Sequence, residues 1–210
     1  MPLIRLHKMT TFQWGIWQIE ESLDDLLGSF HSPNSYRYDI SSFSSTQRQL
    51  EYIGARVLLK HILGEEKEIG YHSNGKPFLI DDSYRISISH SGKYVAVIAS
   101  PDYEVGIDIE RYSERIDRLA TRFMRLDEIS TSYEGDLRWS YLLHWSAKEV
   151  LFKILNQKNV DFKKHLRVEP FQVSDCGVFY ANEMKTNKKK RFDIGYKIHP
   201  DFVLTWSVDK

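Results

Sequence analysis

The most constraining feature of this sequence is that its second half repeats a segment of its first half. Ala55–Leu63 and Ala147–Leu155 align without a gap at a separation of 92 residues, with identical residues at four positions. Both segments place apolar residues at the spacing of an amphipathic helix. Upstream of them, Gly15–Glu20 resembles Gly106–Glu110, with one extra residue in the first copy. A strand pattern followed by a helix pattern, present twice, predicts two related lobes.

The boundary between the predicted lobes falls at Ala99–Tyr103, where Ser-Pro-Asp is a turn signal between two strand patterns. We therefore expect an N-terminal lobe over residues 1–100 and a C-terminal lobe over residues 101–210. The periodicity predicts helices over 45–63, 117–129 and 137–156, and hairpins over 85–99 and 193–208. The expected fold class is α+β, with antiparallel sheets and packed helices in two pseudo-symmetric lobes and the active site in the cleft between them.

Composition excludes several classes of protein. Lys plus Arg equals Asp plus Glu at 29 each, so there is no global positive field to hold nucleic acid or an anionic membrane. We interpret the basic run Lys188–Arg191 as a solvated loop. A single cysteine, Cys176, excludes an internal disulfide framework and a Cys-rich zinc site. Without a secretion signal or an apolar run of about 20 residues, we expect a soluble cytoplasmic protein.

Two acidic residues alternate with isoleucine in the second strand pattern. Asp108 and Glu110 would lie on one face of this strand, because side chains in a strand alternate. Glu149, on the helix pattern that follows, would bring a third carboxylate. Three carboxylates form an oxygen-rich pocket that suits a hard divalent cation sharing its remaining positions with waters and phosphate oxygens. The sequence therefore predicts a Mg²⁺ site.

Each of these residues also has a structural interpretation. Asp108 and Glu110 could be solvated acids on an exposed strand. Ser146 and Glu149 match a capping box at a helix start, although the apolar face extends further upstream. Glu149 and Lys153 could form an i,i+4 ion pair, or Lys153 could place a cation beside a transferring phosphate. The spacing alone leaves both possibilities open.

Taken together, five segments resemble the 4′-phosphopantetheinyl transferase superfamily, specifically the pseudodimeric type that activates peptide synthetases. Their order and approximate spacing match the family from about residue 45 to 160. One departure is Phe123–Met124, where the family has a phenylalanine pair. The segments are Gly75–Pro77, Ile88–Gly92, Val105–Glu110, Arg122–Glu128 and Trp145–Glu149, which Lys153 follows.

The resemblance implies transfer of phosphopantetheine from coenzyme A, the co-substrate, to a serine of an acyl or peptidyl carrier protein, with release of 3′,5′-ADP. It implies that Mg²⁺, or Mn²⁺, binds Asp108, Glu110 and Glu149, that Glu149 is the general base, and that Lys153 stabilises the leaving phosphate oxygen. The residues it implies for coenzyme A binding are Arg48, Lys76, Pro77, Ser89, His90 and Lys148.

The pseudodimeric type implies a monomer. The neutral charge and the lack of an apolar span predict that the protein binds no nucleic acid and no membrane. We predict that the carrier docks along Arg111–Tyr141, where Arg118, Arg122 and Arg125 offer positive charge to an acidic carrier helix. Two alternatives remain open at this point. One is a metal-dependent phosphodiesterase or nuclease, and the other is a non-catalytic module that binds a carrier or a nucleotide.

Overall fold

An antiparallel sheet packed against one 18-residue helix occurs twice along the chain. The computed structural model describes residues 3–210, and the chain divides into two units, Met1–Tyr103 and Glu104–Lys210. These are called unit 1 and unit 2 below. The boundary lies three residues beyond the predicted end of the first lobe. The α+β class with antiparallel sheets is confirmed.

Unit 1 contains a four-stranded antiparallel sheet in the order β1-β2-β6-β5 and a separate two-stranded pair, β3-β4. The long helix α3 packs on β2 and β6. The elements are β1 Leu3–Lys8, β2 Gln13–Gln18, α1 Leu23–Leu27, α2 Pro33–Ile40, α3 Thr46–Leu63, β3 Ile69–Tyr71, β4 Pro77–Leu79, β5 Arg85–Ser91 and β6 Tyr94–Ser100. The predicted hairpin over 85–99 is confirmed as β5 and β6.

Both ends of α3 follow from local chemistry. The Ser45 side chain accepts a hydrogen bond from the backbone N–H of Arg48, which satisfies a donor that the first turn would leave free. Gly64 ends the helix in the left-handed conformation at φ 80°, which glycine adopts without a steric penalty. The predicted helix over 45–63 is confirmed with Ser45 as its cap.

Unit 2 contains a five-stranded antiparallel sheet in the order β7-β11-β10-β9-β8, with the long helix α5 packed mainly on β7 and β11. The elements are β7 Glu104–Arg111, α4 Ile116–Phe123, α5 Arg138–Leu155, α6 Phe162–His165, β8 Leu166–Val168, β9 Cys176–Glu183, β10 Arg191–His199 and β11 Phe202–Asp209. The predicted helix over 137–156 and the predicted hairpin over 193–208 are confirmed.

The prediction of a helix over 117–129 is wrong in its second half, because α4 ends at Phe123. The ammonium group of Lys148 donates a hydrogen bond to the carbonyl oxygen of Phe123 at 2.7 Å. The carboxylate of Glu128 accepts the backbone N–H of Arg125 at 2.7 Å. Both backbone groups would be needed to continue the helix, so these side chains turn the chain into a loop.

Matching glycines support the internal repeat at the level of packing. A Cβ on Gly15 would lie 2.9 Å from Leu58 and 3.5 Å from Ile62 of α3. A Cβ on Gly106 would lie 2.6 Å from the carbonyl oxygen of Val150 and 3.0 Å from Ile154 of α5. The two contacted helix positions are again 92 residues apart. In each unit a glycine therefore lets the strand approach the helix at the same place.

No helix in the described range 3–210 is long and apolar enough to cross a membrane.

Candidate functional site

The acidic face of β7 lies against α5. Asp108 is buried at 4% exposure and Glu110 is half-buried, whereas the alternating Ile107 and Ile109 are buried. Helix α5 contacts both acids through neighbouring residues, since Trp145 bonds Glu110 and Ser146 bonds Asp108. The prediction that the two carboxylates share one face is confirmed. Their interpretation as solvated acids on an exposed strand is wrong, because the helix covers them.

Two side chains of α5 hold the carboxylate of Asp108, one at each oxygen. Lys153 Nζ donates to Asp108 Oδ1 at 2.8 Å and also to the carbonyl oxygen of Ile107 at 2.8 Å. Ser146 Oγ donates to Asp108 Oδ2 at 2.8 Å and lies 2.7 Å from Thr205 Oγ1 of β11. The predicted i,i+4 partner of Lys153, Glu149, is replaced by Asp108. Asp108 is therefore oriented by a cation and by a hydroxyl group.

Glu110 is oriented by the indole of Trp145, whose Nε1 donates to Glu110 Oε1 at 2.8 Å. The ring of Trp145 packs against Phe123 and Phe162, with centroids 5.3 Å away in each case. Packing fixes the indole, and the indole fixes one carboxylate oxygen.

Glu149 is the least constrained of the three acids. It lies eleven residues into α5, so the capping-box interpretation of Ser146 and Glu149 is wrong. Within residues 3–210 its carboxylate accepts no hydrogen bond and makes no ion pair. Burial and the negative charge of Asp108 raise the pKa of Glu149 to about 7, and Lys153 opposes them. Glu149 therefore shares an electrostatic environment with the strand acids.

Glu110 shows the same effect. Burial and the charge of Asp108 raise the pKa of Glu110 to about 7, although the bond from Trp145 lowers it, and Glu149 raises it further. Three carboxylates thus face one ammonium group, that of Lys153. Such an excess of negative charge in a half-buried place is costly unless a cation neutralises it.

The chemistry of these donors fits a hard divalent cation, since all are carboxylate oxygens. Within residues 3–210, however, no three His, Cys, Asp or Glu side chains are arranged so that they could hold a metal ion. The structure brings the acids into mutual electrostatic range without assembling a ligand shell.

A separate cavity of about 180 Å³ lies within unit 1 and includes three predicted residues, Arg48, Pro77 and His90. Arg48 Nη1 lies 2.6 Å from His90 Nε2, and His90 Nδ1 lies 3.2 Å from Glu51 Oε2. The bond from arginine makes Nε2 the acceptor, so the proton of a neutral ring is placed on Nδ1, facing Glu51. The aromatic part of the lining comes from Tyr52 and Tyr71.

Two predicted binding residues of unit 1 do not line this cavity. Ser89 is buried and lies on the opposite face of β5 from His90, because strand side chains alternate. Lys76 is half-buried in the turn before β4, next to Pro77, and its backbone N–H donates to Asn74. Sequence reasoning missed Glu51, although its i,i+3 spacing from Arg48 on a helix was a usable signal.

The predicted role of Lys148 in coenzyme A binding is wrong. Its side chain is 0% exposed, and Nζ donates to Glu128 at 2.8 Å and to the carbonyl oxygen of Phe123. Glu128 is equally buried and also accepts the backbone N–H of Val168. A fully buried ammonium group with these partners has no surface left for a ligand. Lys148 therefore joins α5 to the loop after α4 and to β8.

Comparisons with known proteins find one superfamily, and the match to its family model lies within unit 2. A family model for the 4′-phosphopantetheinyl transferase superfamily matches residues 104–206, which begin at the first residue of unit 2. The L-aminoadipate-semialdehyde dehydrogenase-phosphopantetheinyl transferase of Xenopus laevis is 24% identical over 168 residues, which cover 69% of this chain and 55% of that protein.

Two bacterial proteins are also similar. The 4′-phosphopantetheinyl transferase AcpT of Escherichia coli O157:H7 is 30% identical over 115 residues, covering 50% of this chain and 57% of its own length. The 4′-phosphopantetheinyl transferase gsp of Aneurinibacillus migulanus is 28% identical over 140 residues, covering 56% and 58%. The chain thus spans just over half the length of these relatives. Unit 2, which carries the acidic strand and α5, is therefore the part of this chain that matches the 4′-phosphopantetheinyl transferase superfamily.

Proposed function

We propose that the chain transfers 4′-phosphopantetheine from coenzyme A to a serine hydroxyl of an acyl or peptidyl carrier protein. Its superfamily uses coenzyme A, generally with a divalent metal ion, and modifies carrier proteins. The observation that carries the proposal is that Asp108, Glu110 and Glu149 lie within electrostatic range of one another and of Lys153, inside the residues that match the superfamily.

The proposed reaction exchanges one phosphorus–oxygen bond for another. The serine oxygen forms a bond to the phosphorus that bears the pantetheine arm, and the bond from that phosphorus to the bridging pyrophosphate oxygen breaks. The serine proton passes to a base, and the leaving group is 3′,5′-ADP. Mg²⁺, when bound to the three acids, would neutralise the pyrophosphate charge and align the phosphorus with the hydroxyl.

The acids and the lysine have distinct proposed roles. Asp108 and Glu110 are held by α5, so they provide fixed oxygens for the cation. Glu149 is the candidate general base, because hydrogen bonds hold neither of its oxygens and it can turn toward the incoming serine. Lys153 lies beside these acids, and its ammonium group would stabilise the leaving phosphate oxygen.

The cavity of unit 1 is the proposed site for the nucleotide end of coenzyme A. Arg48 Nη1 and His90 Nε2 lie 2.6 Å apart, so both side chains can reach one phosphate group. The Glu51 carboxylate lies 3.2 Å from His90 Nδ1 and orients the ring. The pair is therefore suited to a dianionic phosphate group.

The carrier is proposed to dock on α4. Arg118 and Arg122 are exposed there on either side of Leu119, which is 40% exposed. Arg125, which was also predicted to contact the carrier, is not included, because its guanidinium group donates hydrogen bonds to Asp127 and to two backbone carbonyl groups. Unchanged carrier affinity in a variant with both Arg118→Ala and Arg122→Ala would rule out this surface.

Intact mass analysis tests the reaction itself. Apo-carrier proteins from fatty acid and peptide pathways are incubated with the chain, coenzyme A and Mg²⁺. The expected result is one added phosphopantetheine on a single serine, with an equal amount of 3′,5′-ADP released. Cleavage of coenzyme A or of nucleic acid with an unmodified carrier would contradict transfer and indicate a phosphodiesterase. As a control, Ser140→Ala removes a buried hydroxyl group of α5 that accepts the backbone N–H of Thr131 and does not contact the acids. This variant should modify the carrier as the wild type does.

A further inference from the structure

A chain of two hydroxyl groups ends on Asp108. Thr205 Oγ1 lies 2.7 Å from Ser146 Oγ, and Ser146 Oγ lies 2.8 Å from Asp108 Oδ2. Ser146 and Thr205 are both 0% exposed. Since a carboxylate can only accept, Ser146 donates its one hydroxyl hydrogen to Asp108, and the Ser146 oxygen accepts from Thr205. The direction of donation is therefore fixed: Thr205 of β11 donates to Ser146 of α5, and Ser146 donates to Asp108 of β7.

Strand pairing explains how these hydrogen bonds can form. Thr205 is the direct neighbour of Asp108 in the β7–β11 register, so their side chains leave the sheet on the same face. Ser146 enters from α5 above that pair. No step of the chain uses a flexible surface group, because all three residues are buried. The arrangement fixes both the position and the rotation of the Asp108 carboxylate.

Unit 1 provides an internal comparison at the same positions. When the two units are aligned through Gly15 and Gly106, Asp108 corresponds to Trp17. Asp108 pairs with Thr205 across β7 and β11, and Trp17 pairs with Val95 across β2 and β6. The position of Ser146 is occupied by Gly54 at the separation of 92 residues. The unit that has no acid on its strand thus has neither hydroxyl group. The two hydroxyls are present where the acid is present.

We infer that Ser146 and Thr205 are positioning residues for the divalent cation, acting through Asp108. This inference rests on the proposed function, since it assigns the cation to the same acids. Ser146 directs the lone pairs of Oδ2, and Thr205 directs the proton of Ser146. Groups that hold a metal ligand in this way commonly change metal affinity by about 10- to 100-fold when they are removed.

The test measures binding of Mn²⁺ alone, by the electron paramagnetic resonance signal of the free ion, without substrate. Ser146→Ala is expected to raise the Kd about tenfold. Thr205→Val, which keeps the shape of the side chain, is expected to raise it about threefold. The variant with both substitutions is expected to match Ser146→Ala, because Thr205 acts only through the serine. Thr205→Ser keeps the hydroxyl and should bind as the wild type does.

Ser207→Ala is the matched control. Ser207 is buried on β11, two residues from Thr205 on the same face, and within residues 3–210 its Oγ has no hydrogen-bond partner. Its removal should leave the Kd unchanged. Equal Kd values in wild type and Ser146→Ala would overturn the inference, as would fully additive losses in the double variant.

The outcomes separate this inference from the proposed function. If wild-type protein does not bind Mn²⁺, the cation site and the positioning role both fail. If Mn²⁺ binding follows the expected order but no carrier is modified, the positioning role stands and the transfer reaction fails. Thermal unfolding without metal identifies a variant that has lost its fold, and Thr205→Val then supplies the deciding Kd.

Discussion

Unit 1 and unit 2 have different side chains at corresponding positions of their strands, β2 and β7, and of their helices, α3 and α5. In unit 2, Asp108 of β7 binds Lys153 of α5 at 2.8 Å. At the corresponding positions of unit 1, the ring of Trp17 lies 4.9 Å from that of His61. One contact is an ion pair that leaves charge unbalanced, and the other joins two aromatic rings, those of the buried Trp17 and the exposed His61. The fold therefore does not need the acids, so their presence in unit 2 requires a chemical reason.

The remaining acids show the same replacement. Glu149 corresponds to Val57, which is 1% exposed, and Glu110 corresponds to Ile19 when the strands are aligned through Gly15 and Gly106. That alignment has no extra residue, so the earlier match of Glu110 with Glu20 is corrected. Unit 1 buries valine and isoleucine in its core where unit 2 keeps carboxylates. Burying carboxylates costs stability, whereas burying aliphatic side chains contributes to it.

The largest expected effect concerns a charged pair that stabilises unit 2 without serving chemistry. Lys148 is paired with Glu128, both 0% exposed, whereas its counterpart Arg56 lies over the ring of Tyr52 at 3.3 Å. Glu128→Gln should lower the free energy of unfolding by about 3–5 kcal/mol, because it leaves a buried ammonium group without its carboxylate. Tyr52→Leu should cost about 2 kcal/mol. Urea unfolding of both variants checks this, and equal losses would contradict the difference between the units.

The next effect is on transfer itself. Asp108→Ala removes a fixed oxygen of the proposed cation site and should lower kcat about 100- to 1,000-fold. The fold should persist, because unit 1 is built without an acid at this position. Transfer kinetics with saturating coenzyme A measure the loss. A rate within twofold of the wild type would show that the acid face of β7 is not the reaction centre.

A smaller and different effect is expected in unit 1. His90→Ala should raise the KM for coenzyme A about tenfold through loss of one hydrogen bond to a charged phosphate, with little change in kcat. The KM for dephospho-coenzyme A, which lacks the 3′-phosphate, should rise much less. Parallel kinetics with the two substrates give the comparison. Equal loss for both would exclude a role in 3′-phosphate binding.

The smallest effect concerns Glu183, a carboxylate of unit 2 that serves only the fold. It is buried and accepts hydrogen bonds from Thr186, Lys185 and Lys190, which outweigh burial and lower its pKa below 4.5. A lowered pKa gives stability that is complete above about pH 4.5 and is lost as the pH falls through the folded-state value. Glu183→Gln should cost about 1 kcal/mol at neutral pH. It should also flatten the acid side of a stability–pH curve, and an unchanged curve would contradict this assignment.

Features that depend on local periodicity could be predicted from the sequence. The acid alternation of β7, the extent of α5 and the cap of α3 each follow from residues within a few positions of one another. Arg48, Pro77 and His90 were also placed in one site, although the resemblance to the family supplied that grouping. The cavity within unit 1 shows that these three side chains do meet.

Features that depend on distant contacts could not be predicted. Lys148 and Glu128 are 20 residues apart, and only the fold shows that Lys148 is buried rather than directed at a ligand. Asp108 and Thr205 meet because β7 pairs with β11 across most of unit 2. The early end of α4 has the same origin, since the side chain that takes the Phe123 carbonyl lies on another helix. Local propensity contains no information about such partners.

The central claim is that the three acids of unit 2 hold a divalent cation for transfer to a carrier. The most direct test follows release of 3′,5′-ADP from coenzyme A and apo-carrier while Mg²⁺ is titrated into metal-free protein. We predict no transfer with chelator present, a saturable rise with Mg²⁺ in the wild type, and a strongly weakened response in Glu149→Gln. Transfer that proceeds at the full rate without a divalent cation would contradict the claim.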